Sequence, residues 1–160
     1  YSIAMLLLDD SAIDADRFDI LGTDINESIL ETARTGAYQT SATTDIEEEL
    51  TPLDAYEPYI DRDGDHFRVR DQVKELVSFE QHDLIRGPSK RNWDLIVCRN
   101  LLIYIDENMK PPIFDTVTNS LTADGYLVIG MTETLTREFR AVYEPVKKRH
   151  RIYRKSGSVN

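Results

Sequence analysis

Apolar and polar positions along the chain follow two patterns, one typical of buried strands and the other of amphipathic helices. Short apolar runs that end in polar residues predict strands at 18–24, 77–83, 93–98 and 126–130. Between them, apolar residues recur at helical spacing. Strands and helices that alternate in this way predict an α/β fold with a mainly parallel sheet and helices on both faces.

The segments between these strands carry the start and stop signals of helices. Residues 2–8 form an apolar run that favours a short buried helix. Asn26 can cap a second helix through its side-chain oxygen, and Gly36 is suited to end it. A third helix is predicted at 107–121, with two prolines in its first turn. The predicted apolar faces are Ile29, Leu30 and Ala33 in the second helix, and Met109, Ile113, Phe114, Val117 and Leu121 in the third.

Two pairs of antiparallel strands complete the predicted fold. The turn at 61–65 separates two short strand-like segments and predicts a small β-insertion at about 57–72. Its alternating aspartates resemble a calcium loop, but Gln72 stands where such a loop needs an acidic ligand, which favours a plain turn. The segments 139–146 and 149–154 predict a C-terminal hairpin.

The composition fits a single domain of 160 residues and narrows the classes of partner. A formal net charge of −10 repels phosphate backbones and argues against nucleic acid. No apolar run reaches the roughly 20 residues of a membrane span. Cys98 is the single cysteine, so no thiolate metal site is expected. Its apolar neighbours predict that it is a small buried hydrophobic residue. Many acidic residues with few lysines suggest a high-salt cytoplasm, with an ordinary acidic cytosolic protein as the alternative.

Asp24, Asp83 and Asn100 end or directly follow three predicted strands and could form one ligand site. In an open parallel sheet, ligands bind outside the carboxyl ends of the strands, and the topology should bring these ends to one edge. Asp24 is predicted to accept hydrogen bonds from a ribose diol, with a helix cap as the alternative. Asp83 and Leu84 suit the polar edge and apolar face of adenine, or an ordinary turn. Asn100 could face a ligand or bridge backbone groups.

Arg99 and Tyr104 follow the strongest strand signal and are candidates for the reacting end of the site. Arg99 comes after four apolar residues, where an unpaired charge is costly, so we expect it to have an anionic partner. Tyr104 lies five residues further on and could direct its hydroxyl into the same cleft. A salt-bridged arginine and a half-buried tyrosine are the alternatives.

Four segments carry a resemblance to a known family. They are 18–26 (FDILGTDIN), 33–38 (ARTGAY), 97–104 (VCRNLLIY) and 125–133 (GYLVIGMTE). In order and spacing they resemble the chemotaxis receptor methyltransferases, the CheR family. The opening residues 1–5 resemble the segment that follows the glycine-rich loop of that family. The similarity extends over essentially the whole chain, and 97–104 is its most specific part.

The resemblance implies a Rossmann-like methyltransferase that depends on S-adenosylmethionine and acts in the cytoplasm as a monomer. It would methylate glutamate side chains on the cytoplasmic helices of methyl-accepting chemotaxis receptors, giving glutamate methyl esters and S-adenosylhomocysteine. The residues that would surround the cofactor are Asp24, Ile25, Asp83, Leu84, Asn100 and Leu101. Arg99 and Tyr104 would lie near the methyl group and the incoming carboxylate. The family usually has asparagine at the position of Asp83, so here an acceptor replaces a group that can also donate.

Two departures from the family carry expectations of their own. The helical domain, first strand and glycine loop of the family are not in this sequence. Because that strand is central in the family's sheet, we expect the chain alone to bind cofactor weakly, or to need the missing segment supplied. In some members a small antiparallel subdomain grips a peptide tether at the receptor's C-terminus. The turn at 61–65 is shorter than in those members, which predicts recognition independent of the tether.

The residues also allow other interpretations. A small-molecule methyltransferase of the same fold is one, and a non-catalytic module used for signalling contacts is another. The basic segment 147–151 could contact an acidic receptor, but the pattern favours a solvated strand face that balances the acidic remainder of the chain.

Overall fold

The structure, a computed structural model, describes residues 1–90 and 92–156 and divides into two compact units. The first unit is Tyr1–His82 and the second begins at Asp83. The single domain with a β-insertion at about 57–72 stays a prediction. Among the described residues, no helix is both long enough and apolar enough to cross a membrane.

The first unit combines short helices with two small sheets. Its elements in chain order are α1 (Ser2–Asp9), β1 (Ile20–Asp24), α2 (Glu27–Thr35), β2 (Ala37–Gln39), α3 (Ile46–Glu49), β3 (Ile60–Asp63), β4 (His66–Val69), α4 (Asp71–Lys74) and β5 (Val77–Gln81). Strands β1 and β5 pair in parallel, with Asp24 opposite Gln81. This pair confirms two of the predicted strands and one part of the predicted parallel sheet.

Helix α2 begins and ends where the sequence predicts. The side chain of Asn26 accepts a hydrogen bond from the backbone N–H of Ser28 at 3.0 Å, and Gly36 adopts the left-handed conformation, with φ of 63°. Leu30 is buried as expected. The prediction for Ile29 is wrong, since 53% of this residue is exposed. Its position next to Leu30 lies at the border of the buried stripe, where helical spacing alone does not decide burial.

The predicted hairpin at 61–65 is present and belongs to a sheet of order β2-β4-β3. Strand β2 was not predicted; it pairs antiparallel with β4. The turn carboxylates are engaged by neighbouring side chains, because Asp61 pairs with Arg70 at 2.7 Å and Asp65 accepts from Gln39 at 2.8 Å. The core of this unit comprises Ala4, Met5, Leu50, Tyr59, Ile60, Phe67, Val69 and Val73.

The second unit is built on one four-stranded sheet of order β6-β7-β9-β8. Its elements in chain order are β6 (Trp93–Cys98), α5 (Lys110–Ser120), β7 (Leu121–Ile129), β8 (Tyr143–Lys147) and β9 (Ile152–Lys155), with short 3-10 helices at Leu102–Tyr104, Glu107–Met109, Phe139–Ala141 and Lys148–His150. Strands β6 and β7 run parallel, and β9 pairs antiparallel with both β7 and β8. The C-terminal hairpin is therefore confirmed, although its first strand starts at Tyr143 instead of 139 and its second at Ile152 instead of 149.

Helix α5 supplies much of the core of the second unit. Pro111 and Pro112 occupy its first turn, as predicted, because that turn has no intrahelical acceptor waiting for their missing N–H. The buried core comprises Leu102, Ile113, Phe114, Val117, Leu121, Leu127, Ile129, Leu135, Phe139, Tyr143 and Tyr153. The rings of Phe114 and Phe139 lie 5.2 Å apart between centroids.

Two details of this sheet differ from the sequence prediction. The apolar run of β6 predicts a fully buried strand, yet Leu95 and Val97 are 47% and 42% exposed. Leu95 and Val97 lie on one face of β6, while Ile96 and Cys98 on the other face pack against the core, so the described part of this unit buries only one face of the strand. The strand predicted at 126–130 is longer in the structure, because β7 begins at Leu121 and contains a bulge at Asp124, where φ is 66° and the register with β6 shifts.

Candidate functional site

Asp24 ends β1 in the first unit and presents a partly buried carboxylate. Its Oδ1 accepts a hydrogen bond from the backbone N–H of Asn26 at 2.8 Å, and its backbone oxygen accepts from His82 at 2.9 Å. The cap of α2 comes from Asn26. Asp24 is therefore not the helix cap, and among the described residues its second carboxylate oxygen has no hydrogen-bond donor. Ile25 follows directly and is 63% exposed, so an apolar surface lies beside a carboxylate with free accepting capacity.

Asp83 begins the second unit and makes the contacts of a turn residue. Its Oδ1 accepts from the backbone N–H groups of Ile85 at 2.8 Å and Arg86 at 3.2 Å, and its backbone oxygen accepts from Gly87 at 2.7 Å. Leu84 packs against the core of the unit. These are the contacts that the turn alternative predicts, and the adenine contact of Asp83 and Leu84 stays a prediction.

The loop after β6 holds both residues predicted for the reacting end. Arg99 is exposed, and among the described residues it forms no ion pair and no side-chain hydrogen bond. Water can solvate its exposed charge, and the expected anionic partner, which a substrate could supply, stays a prediction. Tyr104 is 81% exposed, so the half-buried alternative is wrong. The loop therefore exposes the guanidinium of Arg99 and the phenol of Tyr104, and neither side chain is bound by another described residue.

Asn100 and Leu101 lie in the same loop and shape its backbone. Asn100 has a φ of 60°, a left-handed conformation that asparagine tolerates better than most residues. The backbone oxygen of Leu101 accepts from the N–H of Tyr104 at 3.1 Å, which begins a turn of 3-10 helix. Leu102 next to it is buried, so one apolar side chain anchors a loop whose other members are exposed or partly exposed.

Glu133 fixes this loop to the segment after β7. The residue is only 3% exposed, and its side-chain oxygens accept three backbone N–H groups. Oε1 accepts from Leu102 at 2.7 Å, while Oε2 accepts from Asn100 at 3.2 Å and from Gly130 at 2.5 Å. Because β6 and β7 are parallel neighbours, the loops that follow them meet at one edge, and Glu133 joins them there.

The role of Glu133 was not predicted, although the residue closes one of the segments that carry the family resemblance. In the sequence it stands between two threonines, which is typical of a solvated loop. The available signal was its place three residues after a buried strand that ends in Gly130. A Cβ atom on Gly130 would lie 2.5 Å from Oε2 of Glu133 and 2.9 Å from Oδ1 of Asn100, so this site requires glycine.

Cys98, at the end of β6, is not a nucleophile at neutral pH. Burial, with a smaller contribution from the charge of Glu133, raises the pKa of its thiol to about 11. Its partly buried side chain packs against the core, as predicted for a small hydrophobe.

We expect Cys98 to resist alkylation, because at pH 8 roughly one thiol in a thousand would be ionised at that pKa. Iodoacetamide labelling at pH 8 should be slow in the folded protein and fast in urea. The same shift makes the free energy of unfolding fall as the pH rises from the unfolded thiol pKa of about 8.5 toward 11, because the unfolded chain ionises first. Equal labelling rates with and without urea would contradict this assignment.

The candidate residues thus fall into two groups, each placed within its own unit. Asp24 and Ile25 belong to the first unit. The second unit contains the remaining candidates, which are Asp83, Leu84, Arg99, Asn100, Leu101 and Tyr104. Among residues 1–90 and 92–156, no group of three or more His, Cys, Asp or Glu side chains is arranged to hold a metal ion.

Comparison with known proteins gives a family match and several relatives. The family model that matches residues 1–152 is described as CheR methyltransferase, SAM binding domain. The chemotaxis protein methyltransferase of Listeria monocytogenes is 31% identical over 135 residues, which cover 84% of this chain and 49% of the relative. The probable chemotaxis protein methyltransferase of Rhizobium etli is 34% identical over 149 residues, which cover 91% of this chain and 55% of the relative. The chemotaxis protein methyltransferase of Vibrio parahaemolyticus is 34% identical over 140 residues, which cover 85% of this chain and 50% of the relative. The chain spans about half the length of these relatives.

Proposed function

Because the chain belongs to the CheR methyltransferase family, we propose that it transfers a methyl group to glutamate side chains on the cytoplasmic helices of chemotaxis receptors. The matched domain is the SAM-binding domain, and S-adenosylmethionine is its cofactor. The products are glutamate methyl esters and S-adenosylhomocysteine. The observation that carries the proposal is the loop after β6, which presents Arg99 and Tyr104 to solvent while Glu133 holds its backbone.

Asp24 is the residue that we propose for the ribose hydroxyls. One oxygen of its carboxylate is occupied by the N–H of Asn26, which fixes the orientation of the side chain. The remaining accepting capacity suits the two hydroxyls of a ribose, since carboxylates accept strong hydrogen bonds from neighbouring donors. Ile25 offers an exposed apolar side chain next to it for the adenosyl group. Asp83, Leu84, Asn100 and Leu101 complete the proposed set.

On the acceptor side, Arg99 would pair with the incoming glutamate carboxylate and Tyr104 would donate a hydrogen bond to it. The cofactor supplies an electrophilic methyl group on a sulfonium sulfur; the carbon–sulfur bond breaks as an oxygen–carbon bond forms. No proton moves in this transfer, because the acceptor is already ionised near neutral pH. The chain is therefore required to position and desolvate the acceptor, and no general base is needed.

We expect Asp24→Asn to weaken the binding of S-adenosylhomocysteine by on the order of tenfold to a hundredfold, because a charged acceptor is lost. The amide oxygen can still accept from the N–H of Asn26, so the local turn should survive. Isothermal titration of the natural protein in which this chain occurs gives the dissociation constant. Asp19→Asn, an exposed position just before β1, is the matched control and should change nothing. An unchanged affinity in Asp24→Asn would remove Asp24 from the cofactor site.

The proposed activity is tested with the natural protein, methyl-labelled S-adenosylmethionine and a purified receptor cytoplasmic fragment. Glutamate methyl esters release methanol in mild base, whereas methylated amines and amides do not. We expect base-labile label on the receptor fragment. Label that appears only on small molecules in a metabolite panel would support the small-molecule alternative. Failure to bind S-adenosylhomocysteine at all would support the non-catalytic alternative.

Recognition through the three-stranded sheet should not depend on a peptide tether. The hairpin between β3 and β4 turns through Gly64 and Asp65 alone, which leaves little loop to fold over a peptide. We expect a pentapeptide from the receptor's C-terminus to bind with a dissociation constant above roughly 1 mM, the range of weak contacts. Titration followed by fluorescence or calorimetry would measure it. Micromolar binding would mean that the sheet does grip a tether.

We further propose that the enzyme acts in the cytoplasm as a monomer, since its substrate helices lie there. Analytical ultracentrifugation of the natural protein should give the mass of one chain. A stable dimer at micromolar concentration would contradict this.

A further inference from the structure

A run of five basic residues forms the tip of the C-terminal hairpin. Residues 147–151 are Lys-Lys-Arg-His-Arg; Lys147 ends β8, and 148–151 connect β8 to β9. The sequence favoured a solvated strand face for this segment. Residues 147–150 are exposed, as that prediction requires, but only Lys147 lies in a strand. Lys148–His150 form a turn of 3-10 helix, and Arg151 follows with a left-handed φ of 55°. A turn projects its side chains beyond the end of the sheet, whereas a strand face would have laid them along it.

The charge of this turn, hereafter the basic turn (147–151), is not neutralised within the described part of the chain. None of its four Lys and Arg side chains forms an ion pair there, and all but Arg151 are exposed. Arginines elsewhere do pair, as Arg34 does with Glu27 and Arg154 with Asp124. Four like charges in one exposed turn repel one another, and an anionic partner would relieve that repulsion.

The basic turn lies at the edge of the sheet that carries the loop after β6. The N–H of Ile129, the last residue of β7, donates to the backbone oxygen of Arg151 at 3.2 Å. The guanidinium Nε of Arg151 donates to the backbone oxygen of Met131 at 3.1 Å. Met131 belongs to the segment that Glu133 ties to the loop after β6. The basic turn, the segment 130–133 and the loop with Arg99 and Tyr104 therefore share one edge of this unit.

From this placement we propose that the basic turn is a docking surface for the acidic face of the receptor helix that carries the substrate glutamates. The inference rests on the proposed function and adds a recognition surface to it. A helix segment with several glutamates is a polyanion, and a chain with a net charge of −10 repels it over most of its surface. The basic turn is a local exception to that repulsion beside the proposed acceptor loop. It would raise the association rate and set the side from which the helix approaches.

The test compares Lys148→Glu/Arg149→Glu with a control that makes the same change in net charge elsewhere. The control is Arg17→Glu/Arg137→Glu, two exposed side chains that form no ion pair within the described residues. Arg151 is left in place because its side chain binds the backbone of Met131. Both variants are made in the natural protein and assayed with a purified receptor cytoplasmic fragment.

At low ionic strength, we expect the variant of the basic turn to raise KM for the receptor fragment about tenfold, with kcat within twofold of wild type. The difference in KM between this variant and the wild type should disappear as salt is added toward 0.5 M. At that concentration salt screens exposed charges beyond roughly the length of one ion pair. Affinity for S-adenosylhomocysteine should not change. The control variant should behave as the wild type does. A role limited to folding would instead lower kcat and thermal stability together.

Direct titration of the receptor fragment into the protein loaded with S-adenosylhomocysteine separates this inference from the proposed function. Absence of methyl transfer by the wild type would refute the proposed function. A dissociation constant that is the same in the basic-turn variant and the control would refute the docking surface, whether or not methyl is transferred. Loss of binding to phosphatidylserine vesicles, with receptor binding unchanged, would assign the turn to a membrane surface and also refute the proposal.

Discussion

Replacing Arg99 by alanine should lower kcat/KM for receptor methylation on the order of 100-fold, the usual effect of removing one charge-stabilising donor. Arg99 is proposed to hold the acceptor carboxylate, and among the described residues no carboxylate pairs with its guanidinium. Because the side chain is exposed and makes no contact that supports the fold, thermal stability should not change. Affinity for S-adenosylhomocysteine should stay within about twofold, since the cofactor is assigned to other residues.

Two further variants make the Arg99 result specific. Arg99→Lys should recover only part of the activity, because an ammonium group cannot form the two parallel hydrogen bonds of a guanidinium with a carboxylate. Arg137→Ala removes another exposed arginine from the same unit and should behave as the wild type does. If Arg99→Ala kept more than half of the wild-type activity, Arg99 would have no part in holding the acceptor.

Replacing Glu133 by glutamine should destabilise the second unit and lower the rate of methyl transfer, because the loop after β6 loses part of its support. The amide keeps the shape of the side chain but has only one oxygen, while the structure asks two oxygens to accept three N–H groups. At least one buried N–H then faces an NH₂ group, which costs about 1–3 kcal/mol. We expect the free energy of unfolding to fall by about 2 kcal/mol in urea titrations. Methyl transfer should fall at least tenfold even at temperatures where the variant is folded.

Glu138→Gln makes the same chemical change at an exposed position and should alter neither quantity. The activity loss distinguishes a positioning role from a purely structural one. A folded Glu133→Gln protein should show a lowered kcat, because Arg99 and Tyr104 are displaced, while its affinity for S-adenosylhomocysteine changes less. Wild-type stability and activity in Glu133→Gln would show that the three hydrogen bonds do not matter.

The sequence predicted those elements whose signals are local. Helix α5 was predicted because two prolines open it and apolar residues recur on one face, and the structure buries Ile113, Phe114 and Val117 of that face. Met109 precedes the helix and is only partly buried, and Leu121 begins β7. The cap at Asn26 and the stop at Gly36 depend on backbone groups a few residues away, so sequence spacing suffices. The hairpin at 61–65 belongs to the same class.

The features that the sequence did not reveal depend on residues distant in the chain. Glu133 looks like a solvated loop residue, and only the parallel pairing of β6 with β7 brings Asn100 and Leu102 within reach of its side chain. Leu95 is exposed because the described part of the second unit covers only the opposite face of β6, which a continuous apolar run cannot indicate. Strand β2 is three residues long and is recruited by β4.

The basic turn illustrates the same limit in another way. Five consecutive basic residues carry no periodicity, so the sequence could not separate a strand face from the tip of a hairpin. The left-handed conformation of Arg151 decides between them. The sequence raised a contact with an acidic receptor only as the less favoured alternative, and the place of the turn beside the end of β7 is what supports it.

The most direct test of the central claim is a crystal structure of the natural protein with S-adenosylhomocysteine bound. We predict that the two ribose hydroxyls donate to the carboxylate of Asp24 at hydrogen-bond distances of about 2.5–3.0 Å. Ribose hydroxyls that are held by other residues, with Asp24 left in water, would contradict it.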